Sequence, residues 1–117
     1  AYNVATAYYN EPIGSLRSHP VKSEEYEILV KEAFQVALAK GVHVSEKDVT
    51  SIIHKFYHDY AENATSSLMR DIAAGKTSEL ETFSGYLVRE AQKEGISVPV
   101  SEKMYRKLLT KTQNNVV

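Results

Sequence analysis

Apolar positions along this chain recur with the period of a helix. From Tyr26 onward, Leu29, Val30, Ala33, Phe34, Ala37 and Leu38 follow at three- and four-residue steps, the spacing that gathers one face of an α-helix. Ser23 stands where an N-cap belongs, Glu24 and Glu25 in the first turn, Lys40 in the last and Gly41 at the stop, in keeping with the helix dipole and the left-handed cap. Ser45 with Asp48 forms a capping-box pattern, and the face behind it is Val49, Ile52, Ile53, Phe56 and Tyr60, predicting a helix to about residue 64. A further helical piece is predicted over residues 68–74, stopped by Gly75. Ser78 and Glu81 make a second capping box, followed by a stripe of Leu80, Phe83, Leu87, Val88 and Ala91 up to Gly95. A last helix is predicted from Ser101, with Met104, Tyr105, Leu108 and Leu109 inward.

The first residues, 1–9, read as one more apolar helical segment. A turn follows over 10–14, then a single helical turn over 15–19 that Pro20 should stop. No segment sustains period-two alternation, so the fold class is all-α. Two connectors, Gly41-Val42-His43-Val44-Ser45 and Gly95-Ile96-Ser97-Val98, share a glycine stop and an apolar hook expected to pack beneath the helix ends. The polar stretch 110–115 is expected to fray.

Composition narrows the classes. With 117 residues the chain has the length of one domain. Its 14 basic and 15 acidic residues are interspersed, for a net charge of −1, so no basic footprint for nucleic acid or an anionic membrane surface stands out. The apolar runs are too short to span a bilayer as a helix. No secretory leader pattern opens the sequence, and a cytoplasmic location is expected. Cysteine is absent, which excludes disulfides and thiolate metal or redox sites. The start at Ala1, inside an apolar segment, is expected to reflect an engineered or proteolytic fragment.

Few residues carry chemistry by pattern alone. Glu79 falls at a helix start, where free N–H groups and the dipole favour a carboxylate; by spacing this is helix-start chemistry. The pair Ser66-Ser67 reads as a cap or a polar break. His54 and His58 are four apart, so both rings can face one point, yet no third ligand has metal spacing. They are read as solvated or edge-packed, and no metal is expected. Tyr2, Tyr8 and Tyr9 crowd the chain start and are expected to cover a surface for another domain or subunit.

The stretch 66–100 carries a longer pattern. It runs Ser66-Ser67-Leu68, Asp71, a turn with Gly75, Ser78-Glu79-Leu80-Glu81, Gly85, and Gly95-Ile96-Ser97-Val98-Pro99. It closely resembles the signature of the C-terminal domain of ketopantoate reductase (2-dehydropantoate 2-reductase). Upstream, Asn3-Val4-Ala5-Thr6-Ala7 resembles that family's Asn-Pro-Leu-Thr-Ala, with Val4 replacing Pro. Ser78 stands where Thr is more usual, and Ala64 where some members have Asn, with Asn63 one residue away as a possible substitute.

The resemblance implies a helical domain like those of 6-phosphogluconate dehydrogenase-type enzymes, packed against a Rossmann domain that this chain lacks. It implies that Ser67 donates to the substrate carboxylate and that Asn3 reaches the substrate hydroxyl. Glu79 would be the catalytic acidic residue, beside the catalytic lysine and the cofactor. The implied reaction is reduction of ketopantoate, or a similar small 2-oxo acid, by NADPH in pantothenate and coenzyme A biosynthesis. The family's lysine lies about two turns before Asn3, outside this chain, and the chain holds no Gly-x-Gly-x-x-Gly fingerprint. The fragment alone is therefore expected to be inactive. Asp71 is expected to be structural, and a homodimer is a possible assembly. Two other readings stand beside this one: a paralogous reductase of another 2-oxo acid or ketone, and a non-catalytic helical dimerisation module.

Overall fold

Caps and backbone stops set the helix boundaries in a computed structural model that describes residues 1–115, with side-chain surroundings through 113. All regular structure among the described residues is helical, as the all-α reading requires. Helix α1 is Tyr2–Tyr9 and stops at Asn10, which adopts the left-handed conformation at φ 55°. Helix α2 is the short Ile13–Arg17. Helix α3, Pro20–Ala39, starts earlier than the Ser23 cap suggested. His19 is its N-cap, and Pro20 takes the first helical position, where a missing N–H is harmless. Pro20 thus opens a helix rather than merely stopping one. Ser23 is buried within the first turn, and its hydroxyl donates to the Pro20 carbonyl at 3.1 Å.

Helix α4, Glu46–His58, opens with the expected capping box: Ser45 N–H donates to Asp48 Oδ2 at 2.8 Å and Asp48 N–H to Ser45 Oγ at 3.4 Å. It ends well before residue 64. The chain leaves the helix to follow α2, where Gly14 N–H donates to the Glu62 carbonyl (2.8 Å) and Ile13 N–H to the Ala64 carbonyl (3.0 Å). Arg17 donates to the Tyr60 carbonyl at 2.8 Å. The two backbone bonds satisfy N–H groups at the start of α2 that have no intrahelical partner. Helix α5 is Ser67–Ala73, capped by Ser66.

Helix α6, Ser78–Leu80, runs through a π-turn at Glu81–Gly85 into α7, Tyr86–Glu94. The second capping box does not form. Thr77 is the N-cap, and Glu81 instead accepts from Tyr105 Oη (2.6 Å) and Arg89 (3.2 Å). The π-turn also shifts the helical register. Leu80, Val88 and Ala91 are buried as expected, but Ser84 and Gly85 turn inward while Phe83 is 61% exposed. Helix α8, Pro99–Asn115, begins before Ser101. Met104 and Leu108 are buried, and so is Thr112, within the stretch expected to fray.

Three apolar clusters hold the helices. The first joins Ala5, Ile13, Leu16, Tyr26, Phe56 and Met104 among others, with the Tyr26 and Phe56 rings stacked at 3.8 Å. The second joins Ala7, Leu68, Ile72, Leu80 and Leu108. The third is Val36, Ala91 and Val98. The hook at Val98 therefore packs as expected, whereas Val42 stays exposed. The far end of the α3 face is open too, at Leu38. Tyr2, Tyr8 and Tyr9 are half-buried. They pack on the first cluster, Tyr2 against Tyr60 and Tyr9 bonded to Glu25.

Candidate functional site

The site begins with two buried hydroxyls. Thr6 on α1 and Ser66 before α5 are each nearly inaccessible, and their oxygens lie 2.8 Å apart. Thr6 Oγ1 also lies 2.8 Å from the Tyr2 carbonyl, and Ser66 Oγ accepts the Met69 N–H at 3.3 Å. A consistent proton assignment has Thr6 donating back along its own helix while Ser66 donates to Thr6. This pair locks α1 against the start of α5. It fixes Asn3, one turn before Thr6, relative to Ser67.

Ser67, by contrast, is exposed, and its hydroxyl donates to Glu79 Oε2 at 3.4 Å. Glu79 sits on α6, anchored by the buried Leu80 beside it. Asn3, Glu79, Leu68, Val4, Phe83 and Ala1 line one hollow of about 200 Å³. The three residues singled out in the sequence thus gather: Asn3 and Glu79 in the wall, Ser67 at the rim through its bond to Glu79. No basic side chain lines this hollow, so the only charged side chain in its wall is the Glu79 carboxylate. An ammonium group brought to it would meet the negative charge of that carboxylate. Asn63 lies away from this hollow. It is exposed beside Pro12 and Gly14, in a different depression.

A second hollow of about 200 Å³ adjoins the first and shares Ala1, Val4 and Phe83 with it. Its remaining wall is mainly apolar, with Leu29, Ala33, Leu87 and Tyr86. Phe83 therefore stands between a hollow that holds a carboxylate and an amide and one whose wall is mainly apolar. Sequence periodicity had turned this residue inward; the only hint otherwise was Gly85 inside a helical pattern. The Thr6–Ser66 pair also escaped notice, because spacing along a chain does not show which hydroxyls meet across it.

Other candidates lie outside this region. His54 and His58 stand on the exposed side of α4 with ring centroids 4.4 Å apart. Among the described residues no three His, Asp or Glu side chains gather as a metal site. Asp71 lends its carbonyl to the Lys76 N–H at 2.8 Å, closing the turn at Gly75. Among the described residues no helix is long and apolar enough to cross a membrane.

Residues 1–112 match the family described as ketopantoate reductase PanE/ApbA C terminal. The 2-dehydropantoate 2-reductase of Shigella flexneri is 33% identical over 103 residues, covering 88% of this chain and 33% of that protein. The chain thus spans about a third of the length of the curated relatives it matches. Among solved structures, a PanE/ApbA family ketopantoate reductase from Ralstonia eutropha superposes with a TM-score of 0.85 at 27% identity, over 97% of this chain and 38% of that one. A dimeric ketopantoate reductase from Staphylococcus aureus has the same fold, with a TM-score of 0.87 at 24% identity over 98% of this chain and 40% of that one.

Proposed function

The chain belongs to the ketopantoate reductase C-terminal domain family, and from that premise we propose that it is the substrate-binding domain of an NADPH-dependent 2-dehydropantoate 2-reductase. The parent enzyme would convert ketopantoate to pantoate, in the cytoplasm, for pantothenate and coenzyme A synthesis. A Rossmann domain would form the opposite wall of the cleft. The observation that supports this reading is the gathering of Asn3, Ser67 and Glu79 around one hollow.

Their chemistry divides by charge. A carboxylate repels a substrate carboxylate, so Glu79 faces an ammonium group or ligand hydroxyls. Ser67 adds no charge and, by turning its hydroxyl away from Glu79, donates to the anionic end of the substrate, and the Asn3 amide reaches the substrate's hydroxyl. Glu79 and the proton-donating lysine proposed for the missing part would together orient the ketone oxygen. A hollow of about 200 Å³ fits a small oxo acid but not a dinucleotide. The bulk of NADPH would therefore bind to the Rossmann domain, with Glu79 touching only its reacting end. The cofactor supplies the hydride when bound. The dimer described for the Staphylococcus aureus enzyme supports a homodimer here, and the isolated domain is proposed to be inactive.

The test is Glu79→Ala in the full-length protein, assayed with ketopantoate and NADPH. The expected loss is about 10²-fold or more in kcat/KM. An unchanged kcat/KM would remove Glu79 from the mechanism.

A further inference from the structure

We propose that Phe83 determines substrate specificity, as the wall that limits the alkyl branch of a 2-oxo acid whose polar groups are held at Asn3, Ser67 and Glu79. This rests on the function proposed above and names a determinant within it. The first support is exposure. Phe83 is 61% accessible, although the helical pattern should have buried it. A phenylalanine left in water forgoes much of the stabilisation that burial provides, so its position calls for an explanation in the backbone.

The backbone supplies one. The π-turn at Glu81–Gly85 shifts the local register, and π-turns within helices occur often at functional sites. The turn is braced from both ends. Glu81 accepts from Tyr105 Oη on α8 and pairs with Arg89 one turn into α7. Gly85 leaves the room this bridge needs, since a Cβ there would lie 2.7 Å from Glu81 Oε2 and 2.9 Å from an Arg89 nitrogen. The π-turn thus carries Phe83 outward.

The second support is what lies on either side of the ring. Toward α1 and α5 is the hollow with Asn3 and Glu79; toward α3 and α7 is the apolar hollow with Leu29, Ala33 and Leu87. A ligand that spans both needs a polar head and a compact alkyl group joined by a short link. A 2-oxo acid branched at C3 has that shape. Phe83, with Val4, lies at the junction, so the size of its side chain sets how large a branch passes.

The experiment compares full-length wild type with Phe83→Leu and Phe83→Ala on pyruvate, ketopantoate and a phenyl-substituted 2-oxo acid. The expected result is a graded rise in kcat/KM for the phenyl substrate relative to ketopantoate, about tenfold or more for alanine. Pyruvate, which has no branch, should change less than about threefold. Unchanged ratios in variants that melt like wild type would overturn the proposal while leaving the reductase reading intact. Should wild type reduce none of these acids, the reductase reading fails, and the inference is judged by binding. The isotopically labelled chain is then titrated with 3-methyl-2-oxobutanoate. Shifts at the Phe83 ring and Leu87 methyl groups are expected, and their absence would overturn it.

Discussion

Ser66 and Ser67 are identical neighbours whose surroundings are opposite. Ser66 is 4% exposed, and its hydroxyl caps α5 and touches Thr6 across the helix interface. Ser67 is exposed, and its hydroxyl donates to Glu79. Replacing Ser66 by alanine removes a cap and leaves Thr6 short of a buried partner. The expected loss is about 1–2 kcal/mol in urea denaturation. Ser67→Ala should stay within about 0.5 kcal/mol of wild type and act instead on KM in the full-length enzyme. A reversed pattern would exchange their roles. Both serines were visible in the sequence, and resemblance singled out Ser67. Spacing alone could not separate them, because burial at a helix start depends on which element crosses it, here α1.

At the scale of elements, local chemistry was legible where it was self-contained. The Ser45–Asp48 box and the stops at Gly41 and Gly95 required only neighbours in sequence, and each formed. Boundaries set by distant partners were misread. Helix α4 ends early because residues 60–64 serve α2, and the Ser78 box is lost because Glu81 turns to Tyr105 and Arg89. The site followed the same rule: Asn3 and Glu79 were named from the signature, whereas Phe83 was hidden by a π-turn that periodicity does not encode. Gly14 shows how tightly α2 and the 60–64 segment meet. A Cβ there would lie 2.8 Å from the Glu62 carbonyl oxygen, a backbone atom that cannot move cheaply. At Gly85 the crowding atoms are instead the ends of flexible side chains, and its φ of −61° is helical. Gly14→Ala should therefore lose about 1–3 kcal/mol from overpacking. Gly85→Ala should stay within about 1 kcal/mol, since a surface ion pair is exchanged for better helix propensity. Equal losses in thermal melts would contradict this account.

For the molecule as a whole, α1 and α8 tie the first two clusters together, while the third hangs on α3 and α7. Two carboxylates fasten that side. Glu32 on α3 is buried and accepts from Val100 N–H (3.1 Å), Ser101 N–H (2.7 Å) and Ser101 Oγ (2.6 Å), capping α8 from across the fold. Glu90 on α7 faces Lys40 Nζ at 3.1 Å and Lys93 Nζ at 3.5 Å. Its Oε2 has no well-aligned hydrogen bond, so charge holds it. The pairing with Lys40 lowers the Glu90 pKa below the ordinary carboxylate value, against the upward pull of burial. Its sign in a pH profile follows. A carboxylate whose pKa is lowered by folding stabilises the fold above its unfolded pKa, about 4.3, and loses that contribution as pH falls through the folded value. Glu90→Gln should therefore be less stable than wild type at pH 7. The gap should shrink below about pH 4, as wild-type Glu90 becomes protonated and comes to resemble glutamine. Other carboxylates titrate alike in both proteins and drop out of the difference. Urea denaturation of the pair at stepped pH reads it directly. A gap that stays constant from neutral to acid would show that Glu90 acts through packing, leaving the α3–α7 contact without its electrostatic clasp.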